Sequence, residues 1–328
     1  MKIVCDSHIP FIREGLETLA DEVVYMSGEE ISHEALMDAD VLVTRTRTHA
    51  NQTLLEGTQV QLVVTATIGY DHLDTRYLDA AGIAWHNCPG CNATSVGQYV
   101  HSSLLAMQQS GMLCANPTVA IIGHGHVGRA VERALRPMVS QLLFVDPFLD
   151  EDDSPWDADV VTFHTPLTTG GYYPTLHMAS TEFFSRLTNR PVIINSARGG
   201  VVDETALLQA LDKGMVQAAV IDTWEGEPHI SPQLLERAFI ATPHIAGYSA
   251  DGKANAARMT IEHIARHFDR ECHVEVMPPE LPDRDRLPAD PVARALALYN
   301  PLRDSDALKA APKDFESLRA HYPLRREQ

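Results

Sequence analysis

Gly123-His124-Gly125-His126-Val127-Gly128 follows the apolar run Val119 to Ile122, and Asp146 stands 18 residues beyond Gly128 at the end of another apolar run. Glycines at this spacing permit a tight turn, a close backbone approach to a pyrophosphate, and close packing of the helix that starts there. The amides of His126 and Val127 at that helix start then face the phosphates. A carboxylate at Asp146 accepts hydrogen bonds from adenosine ribose hydroxyls and repels a 2′-phosphate, so the spacing favours NAD over NADP. A glycine-rich turn alone says little. Here the strand, the helix and the acid all sit where the binding mode needs them.

Three further loops follow apolar runs and carry groups suited to hydride chemistry. Val192-Ile193-Ile194-Asn195 leads into Ser196-Ala197-Arg198-Gly199-Gly200, and a guanidinium holds a carboxylate in two parallel bonds. Ala219-Val220-Ile221 leads into the acidic turn Asp222 to Pro228, which contains Glu227. The run ending at Ala241 leads into Thr242-Pro243-His244-Ile245-Ala246-Gly247-Tyr248, which presents one histidine. Singly, each has a bland explanation as a surface cation, a turn residue or one histidine of 16. At successive strand ends on the side where nucleotides bind, they read together as an active site.

The elements that position these groups alternate along the chain. Strands are expected at Lys2 to Cys5, Val23 to Met26, Val41 to Thr44, Leu62 to Ala66 and Ile83 to His86. Helices between them run up to Leu19, over Ser32 to Met37 and Gln52 to Leu55, and around Tyr77 to Ala81. Such alternation predicts a parallel sheet covered by helices. A long helix over Ala93 to Gln109 leads to the strand Thr118 to Ile122 and the helix Val127 to Leu135. Further strands follow at Leu142 to Val145, Val160 to Phe163, Val192 to Asn195, Ala218 to Ile221 and Phe239 to Ala241, so a second doubly wound sheet is expected. The helix Lys253 to Phe268 has no strand after it and returns to the first lobe. Two linking helices then leave a substrate cleft between the lobes. Beyond Cys272, Val276 to Pro282 is proline-rich and charges interrupt the apolar periodicity up to Gln328, which marks a weakly specified appendage too short for its own core.

Bulk properties narrow the partners. With 26 Lys plus Arg against 44 Asp plus Glu, the surface repels a polyanion, so nucleic acid is not expected. No apolar run approaches the roughly 20 residues that span a bilayer, and the first ten residues lack a secretion signal's apolar core, so no membrane partner and a cytoplasmic location are expected. Five scattered cysteines suit reduced thiols. Cys88-Pro-Gly-Cys91 closes a series of strand and helix units instead of opening a helix early in a small domain. With no second metal pair in the sequence, it reads as a turn flanked by small buried residues, and no metal is expected.

The fingerprint, Ser-Ala-Arg-Gly-Gly, Trp-Glu-Gly-Glu-Pro and Pro-His-Ile-Ala-Gly together resemble the NAD-dependent D-2-hydroxyacid dehydrogenases over roughly residues 1 to 270. The resemblance implies a flavodoxin-like substrate lobe (1–92 with 255–275), a Rossmann NAD lobe (93–254) and a short extension (276–328). It implies a catalytic set of Arg198, Glu227 and His244. His244 would accept the C2 hydroxyl proton, Glu227 would orient the imidazole and favour its charged form, and Arg198 would bind the carboxylate and polarise the C2 oxygen. It assigns Asp146, Thr165, Asp222 and Gly247 to NAD beside the glycine loop, and Thr46, Thr67, Ile68, Gly69 and Tyr248 to substrate. Ala66 to His72, Pro89 to Ala93, Thr162 to Leu167, Gly252 to Ala254 and Phe315 to Arg319 narrow the likeness to a branch that takes a small phosphorylated 2-hydroxy acid. Arg45 is a candidate for the phosphate, and Arg47 a weaker one; alternating side chains would instead send them to opposite solvated faces.

Two departures stand out. Only Pro147 to Ala158, with the acidic run Asp150 to Asp153, links Asp146 to Asp159, near the minimum for a parallel crossover; a more open adenine pocket and weaker NAD affinity are expected. The tail looks shortened for a dimerisation domain, so a homodimer is expected through the nucleotide lobe and the 93–109 helix. A dehydrogenase for another acid, an NAD(H)-sensing binding protein and a thiol oxidoreductase at Cys88 and Cys91 remain as rival readings.

Overall fold

Runs such as Val41-Leu42-Val43-Thr44 and Val192-Ile193-Ile194-Asn195 are buried at every position, the pattern of strands covered on both faces of a parallel sheet. A computed structural model describes residues 1–149, 153–281 and 286–327. Asp150, Glu151 and Asp152 of the acidic link, Pro282 and Gln328 lie outside the described residues.

In chain order the first elements are β1 (Lys2–Asp6), α1 (Arg13–Leu19), β2 (Glu22–Met26), α2 (His33–Leu36), β3 (Val41–Thr44) and α3 (Gln52–Leu55). Next come β4 (Leu62–Thr65), α4 (Thr75–Ala81), β5 (Ala84–His86) and α5 (Ala93–Gln109). β6 (Thr118–Ile122), α6 (His126–Leu135), β7 (Gln141–Val145), β8 (Val160–Phe163), α7 (Thr181–Ser185) and β9 (Val192–Asn195) follow. The chain continues through α8 (Glu204–Asp212), β10 (Ala218–Ile221), α9 (Pro232–Arg237), β11 (Ile240–Ala241) and α10 (Ala250–His267). It ends with α11 (Pro291–Leu298), α12 (Pro301–Ala310) and α13 (Phe315–Ala320). Most expected bounds agree to within a residue or two. α10 begins three residues earlier than expected because the Ser249 side chain accepts from the Gly252 amide and caps it there.

The chain divides into two compact units, residues 1–92 with 249–280 and residues 93–248 with 281–328. The first holds a five-stranded parallel sheet in the order β2-β1-β3-β4-β5, the flavodoxin-like order. One face packs Ile3, Leu16, Val43, Val64 and Ile261 of α10. The other packs Val4, Leu36, Leu42, Val63 and Leu78.

The second unit holds a six-stranded parallel sheet in the order β11-β10-β9-β8-β6-β7. Ile122 pairs with Val145 on one side and Phe163 on the other, so Gly123, Asp146 and His164 emerge side by side at one sheet edge where the strand order reverses. No helix joins β7 to β8 among the described residues, in keeping with the short link. All six strands are parallel, so the loops bearing Arg198, Glu227 and His244 leave the same edge.

The tail corrects the expectation of a separate appendage. Leu308 and Phe315 lie in the core of the second unit with Phe163, Leu207 and Trp224, and Leu296 and Tyr299 join the core on the other face with Tyr99 and Leu104. The Ser305 hydroxyl accepts from the Ala241 amide, so α12 covers the edge strand β11. Three short helices each bury only a few apolar residues, which hides their periodicity. α5 is corrected as well: 13 of its residues are buried, and it packs against α6, α11 and α12 of its own chain, so this helix is not free for a partner.

Candidate active site

The glycine loop is built by three distinct constraints. Gly123 has φ +88°, and a Cβ there would stand 2.9 Å from Thr165 Cγ2 and 3.0 Å from the His164 carbonyl. A Cβ on Gly128 would stand 2.2 Å from the Gly123 oxygen, so α6 comes close to the strand only because that side chain is missing. Around Gly125 a Cβ would meet nothing within 4 Å, which leaves room for a ligand to reach the backbone. Gly125 caps α6, with His126 and Val127 opening its first turn. Asp146 Oδ2 accepts from the His124 amide at 2.8 Å and Oδ1 from the Phe148 amide at 3.1 Å, so the carboxylate sits against the glycine loop. Thr165 lies across from Gly123, its hydroxyl donating to Met178 Sδ at 3.7 Å.

His244 and Glu227, 17 residues apart, meet at 2.8 Å through Nδ1 and Oε2. Glu227 Oε1 accepts from the Trp224 amide at 2.8 Å. Burial pushes the Glu227 carboxyl up, but the hydrogen bond and charge of His244, the Trp224 amide and the charge of Arg319 outweigh it and hold the group below its ordinary range. An ionised carboxylate only accepts, so Nδ1 carries a proton towards Glu227 and Nε2 is the ring nitrogen left for chemistry.

His244 itself adopts φ +56°, a left-handed conformation that costs a side-chain-bearing residue roughly 1–2 kcal/mol. It is held there by many bonds. Its amide donates to the Asp222 and Thr242 carbonyls at 2.9 and 3.0 Å. Asp222 Oδ1 accepts from the Ile245 amide (2.8 Å) and the Thr242 hydroxyl (2.6 Å), and Oδ2 accepts from the Ala246 amide (3.0 Å). Tyr99 of α5 and the indole of Trp224 tie Thr242 further. Asp222, assigned to the cofactor by resemblance, is 1 % exposed. In this unit it braces the histidine loop.

Arg198 leaves β9 on a loop shaped by Asn195, whose amide nitrogen donates to the Arg198 and Thr223 carbonyls. A Cβ on Gly199 would lie 1.9 Å from the Trp224 oxygen, so the arginine loop backs directly onto the turn that carries Glu227. The guanidinium donates to the Ala197 carbonyl at 2.8 Å.

Two residues that sequence reasoning missed come from the tail. Arg319 Nε donates to the Tyr248 hydroxyl at 3.1 Å. Arg325 is buried and hydrogen-bonds the carbonyls of Ile245 (3.1 Å), Ala246 (2.6 Å) and Tyr248 (2.9 Å), the turn that contains Gly247. Arg319 closes the quoted Phe315 to Arg319 segment, but nothing local in Leu324-Arg325-Arg326 distinguishes a buried arginine from a solvated one.

In the first unit, Thr67 Oγ1 lies 2.7 Å from Thr65 Oγ1 and donates to the Gly69 carbonyl at 2.7 Å, while the Ile68 carbonyl accepts from Asn87. Thr46 is exposed beyond β3. Arg45 Nε donates to the fully buried Asp6 at 3.1 Å, and Arg47 lies 3.8 Å from Glu29, so the two cations turn to different carboxylates. Cys88 and Cys91 are buried and form no disulfide, in a turn closed by the Cys91 amide on the Cys88 carbonyl. Burial pushes the Cys88 thiol up to about 11, away from the thiolate that thiol exchange needs. Among the described residues no cluster of three metal-ligating side chains occurs, and no helix is long and apolar enough to cross a membrane.

The chain is similar to known proteins. Residues 94–246 match the family described as D-isomer specific 2-hydroxyacid dehydrogenase, NAD binding domain. The chain is similar along its whole length to proteins named erythronate-4-phosphate dehydrogenase. Identity is 46 % to that of Bacteroides fragilis and 44 % to that of Bacteroides thetaiotaomicron, over 97 % of each relative. It is 39 % to that of Edwardsiella ictaluri, over 93 % of its length. Among solved structures, the NAD+-bound 3-phosphoglycerate dehydrogenase of Entamoeba histolytica shares the fold with a TM-score of 0.70 at 23 % identity, over 82 % of this chain and 95 % of that one. The D-lactate dehydrogenase of Aquifex aeolicus does so with a TM-score of 0.64 at 21 % identity, over 82 % and 96 %.

Proposed function

The chain belongs to the D-isomer-specific 2-hydroxyacid dehydrogenases and, within them, to the erythronate-4-phosphate dehydrogenases, and on that premise we propose that it oxidises the C2 hydroxyl of 4-phospho-D-erythronate with NAD. The product is 2-oxo-3-hydroxy-4-phosphobutanoate, on a route to pyridoxal 5′-phosphate. The observation that carries the reading is the His244 to Glu227 pair, seated at the same sheet edge as the glycine loop.

The residues fit the cofactor. Gly123, Gly125, Gly128 and the amides of His126 and Val127 would hold the pyrophosphate, Asp146 the ribose, and Thr165 and Gly247 the rest. NAD, when bound, supplies the ring that takes the hydride from C2. His244 Nε2 takes the hydroxyl proton, and Glu227 stabilises the imidazolium that results. Arg198 binds the substrate carboxylate and draws charge onto the C2 oxygen as it becomes a carbonyl. Thr46, Thr67, Ile68, Gly69 and Tyr248 are the proposed substrate contacts, with Arg45 for the phosphate. The short crossover after Asp146 is proposed to weaken NAD binding.

The test is NAD reduction with 4-phospho-D-erythronate, 3-phosphoglycerate and an unphosphorylated 2-hydroxy acid. Preference for either of the last two overturns the substrate assignment. A protein that binds NADH but turns over none of them overturns the enzyme reading. A cytoplasmic homodimer completes the proposal, its interface on a face other than α5; a monomer mass by light scattering at micromolar concentration contradicts it.

A further inference from the structure

Arg325 is 8 % exposed, and all three of its nitrogens are engaged. Besides the three carbonyls of the His244 loop, it donates from Nε to Gln98 Oε1 (3.0 Å), from Nη1 to the Tyr322 hydroxyl (3.3 Å), and from Nη2 to the Ser95 hydroxyl (3.0 Å) and carbonyl (3.3 Å). Its guanidinium lies 4.0 Å over the Tyr299 ring. Among the described residues no carboxylate hydrogen-bonds it directly. The Tyr322 hydroxyl, which receives Nη1, donates in turn to Asp304 at 3.0 Å. A buried cation paired this way is an expensive means of joining a tail to a domain when apolar side chains do the same work nearby.

Its partners show what it serves. Asp222 holds the amides of Ile245 and Ala246, and Arg325 holds the carbonyls of the same two residues and of Tyr248. The peptide run behind His244 is therefore gripped on its donor side by a carboxylate and on its acceptor side by a guanidinium. A left-handed residue persists only where its surroundings over-determine it. We propose that Arg325 is a positioning residue for the reaction: the tail reaches back to fix the 245–248 turn, and through it the direction of His244 Nε2.

This rests on His244 as the base, so the test needs a readout that does not depend on turnover. In the full chain, Arg325→Met is expected to lower kcat with 4-phospho-D-erythronate about 100-fold, to leave the NADH Kd within about twofold, and to speed amide exchange in 245–248 while β6 and α6 stay protected. Millimolar guanidinium ion is expected to restore part of kcat. Leu207→Ala, which opens a cavity in the same unit away from the loop, supplies the purely structural control. Wild-type kcat in Arg325→Met, or a loss equal to that of Leu207→Ala at matched loss of Tm, overturns the proposal. If Arg325→Met does not fold, Arg325→Lys decides. A single ammonium cannot reach carbonyls on 245, 246, 248 and Ser95 together, so wild-type kcat and exchange in that variant overturn it too. Full activity in His244→Ala would instead sink the functional reading, leaving Arg325 to be judged by exchange alone.

Discussion

The glycine loop at 123–128 and the histidine loop at 242–248 leave the same sheet edge, yet they are specified in opposite ways. The first is dictated by what its own neighbours exclude: Gly128 by the Gly123 oxygen, Gly123 by its φ and by the next strand's end. The second is dictated by what distant residues supply: Asp222, Glu227, Tyr99 and the tail's Arg325 all hold it. Local sterics write a recognisable motif. A loop held from afar leaves only a histidine in the sequence.

The largest effect that tests this contrast is His244→Ala. Loss of the base is expected to lower kcat about 10³-fold while NADH affinity stays near wild type, because the cofactor loop does not depend on it. A loss of NADH binding of comparable size, read by fluorescence titration, would show that the two loops are not separable. Next come two glycine variants. Gly128→Ala is expected to lower both Tm and NADH affinity, since its Cβ has no room, whereas Gly125→Ala keeps Tm and weakens NADH by about tenfold, or ~1.4 kcal/mol. Equal Tm losses in the two would deny that Gly125 is kept for a ligand.

Two glutamates on the second loop's support give the smallest effects, with opposite sign. Glu227 sits below its ordinary 4.5 when folded, so the stability it contributes is present above that value and is lost as pH falls through the folded value. Glu227→Gln should therefore cost Tm at pH 7 and little in strong acid. Burial raises Glu204 from 4.5 to about 7 against the pull of the Glu225 amide, so its carboxylate costs stability as pH rises from 4.5 to 7. Glu204→Gln is expected to raise Tm at pH 8 by about 2–4 °C, the shift that 1 kcal/mol produces in a domain of this size, and to match wild type at pH 4. Melting curves of both variants across that range check the signs.

Much of the architecture was legible because buried parallel strands are continuous apolar runs: β3, β6, β8, β9 and β10 end where the sequence pattern ends them. Arg198, Glu227 and His244 were legible as strand-end groups, but with Glu227 lying 17 residues from His244 their pairing was implied only by the family resemblance and not by the spacing. The bonds of Asp222 to the histidine loop were not legible, because a strand-end acid looks the same whether it faces a crevice or its own backbone. The tail read as loose because α11 to α13 spread their few buried residues over a core that belongs to other elements.

Continuous apolar runs and glycine spacing, which depend only on neighbours along the chain, were enough to determine two parallel-sheet units, a dinucleotide fingerprint and the order of the reactive groups. Which hydroxyl, amide or carbonyl each of those groups meets was decided only in three dimensions. Residues 99, 222 and 325 converge on one loop across gaps that no periodicity records, because hydrogen bonds of about 3 Å are set by where elements pack and not by how far apart their residues lie in the chain.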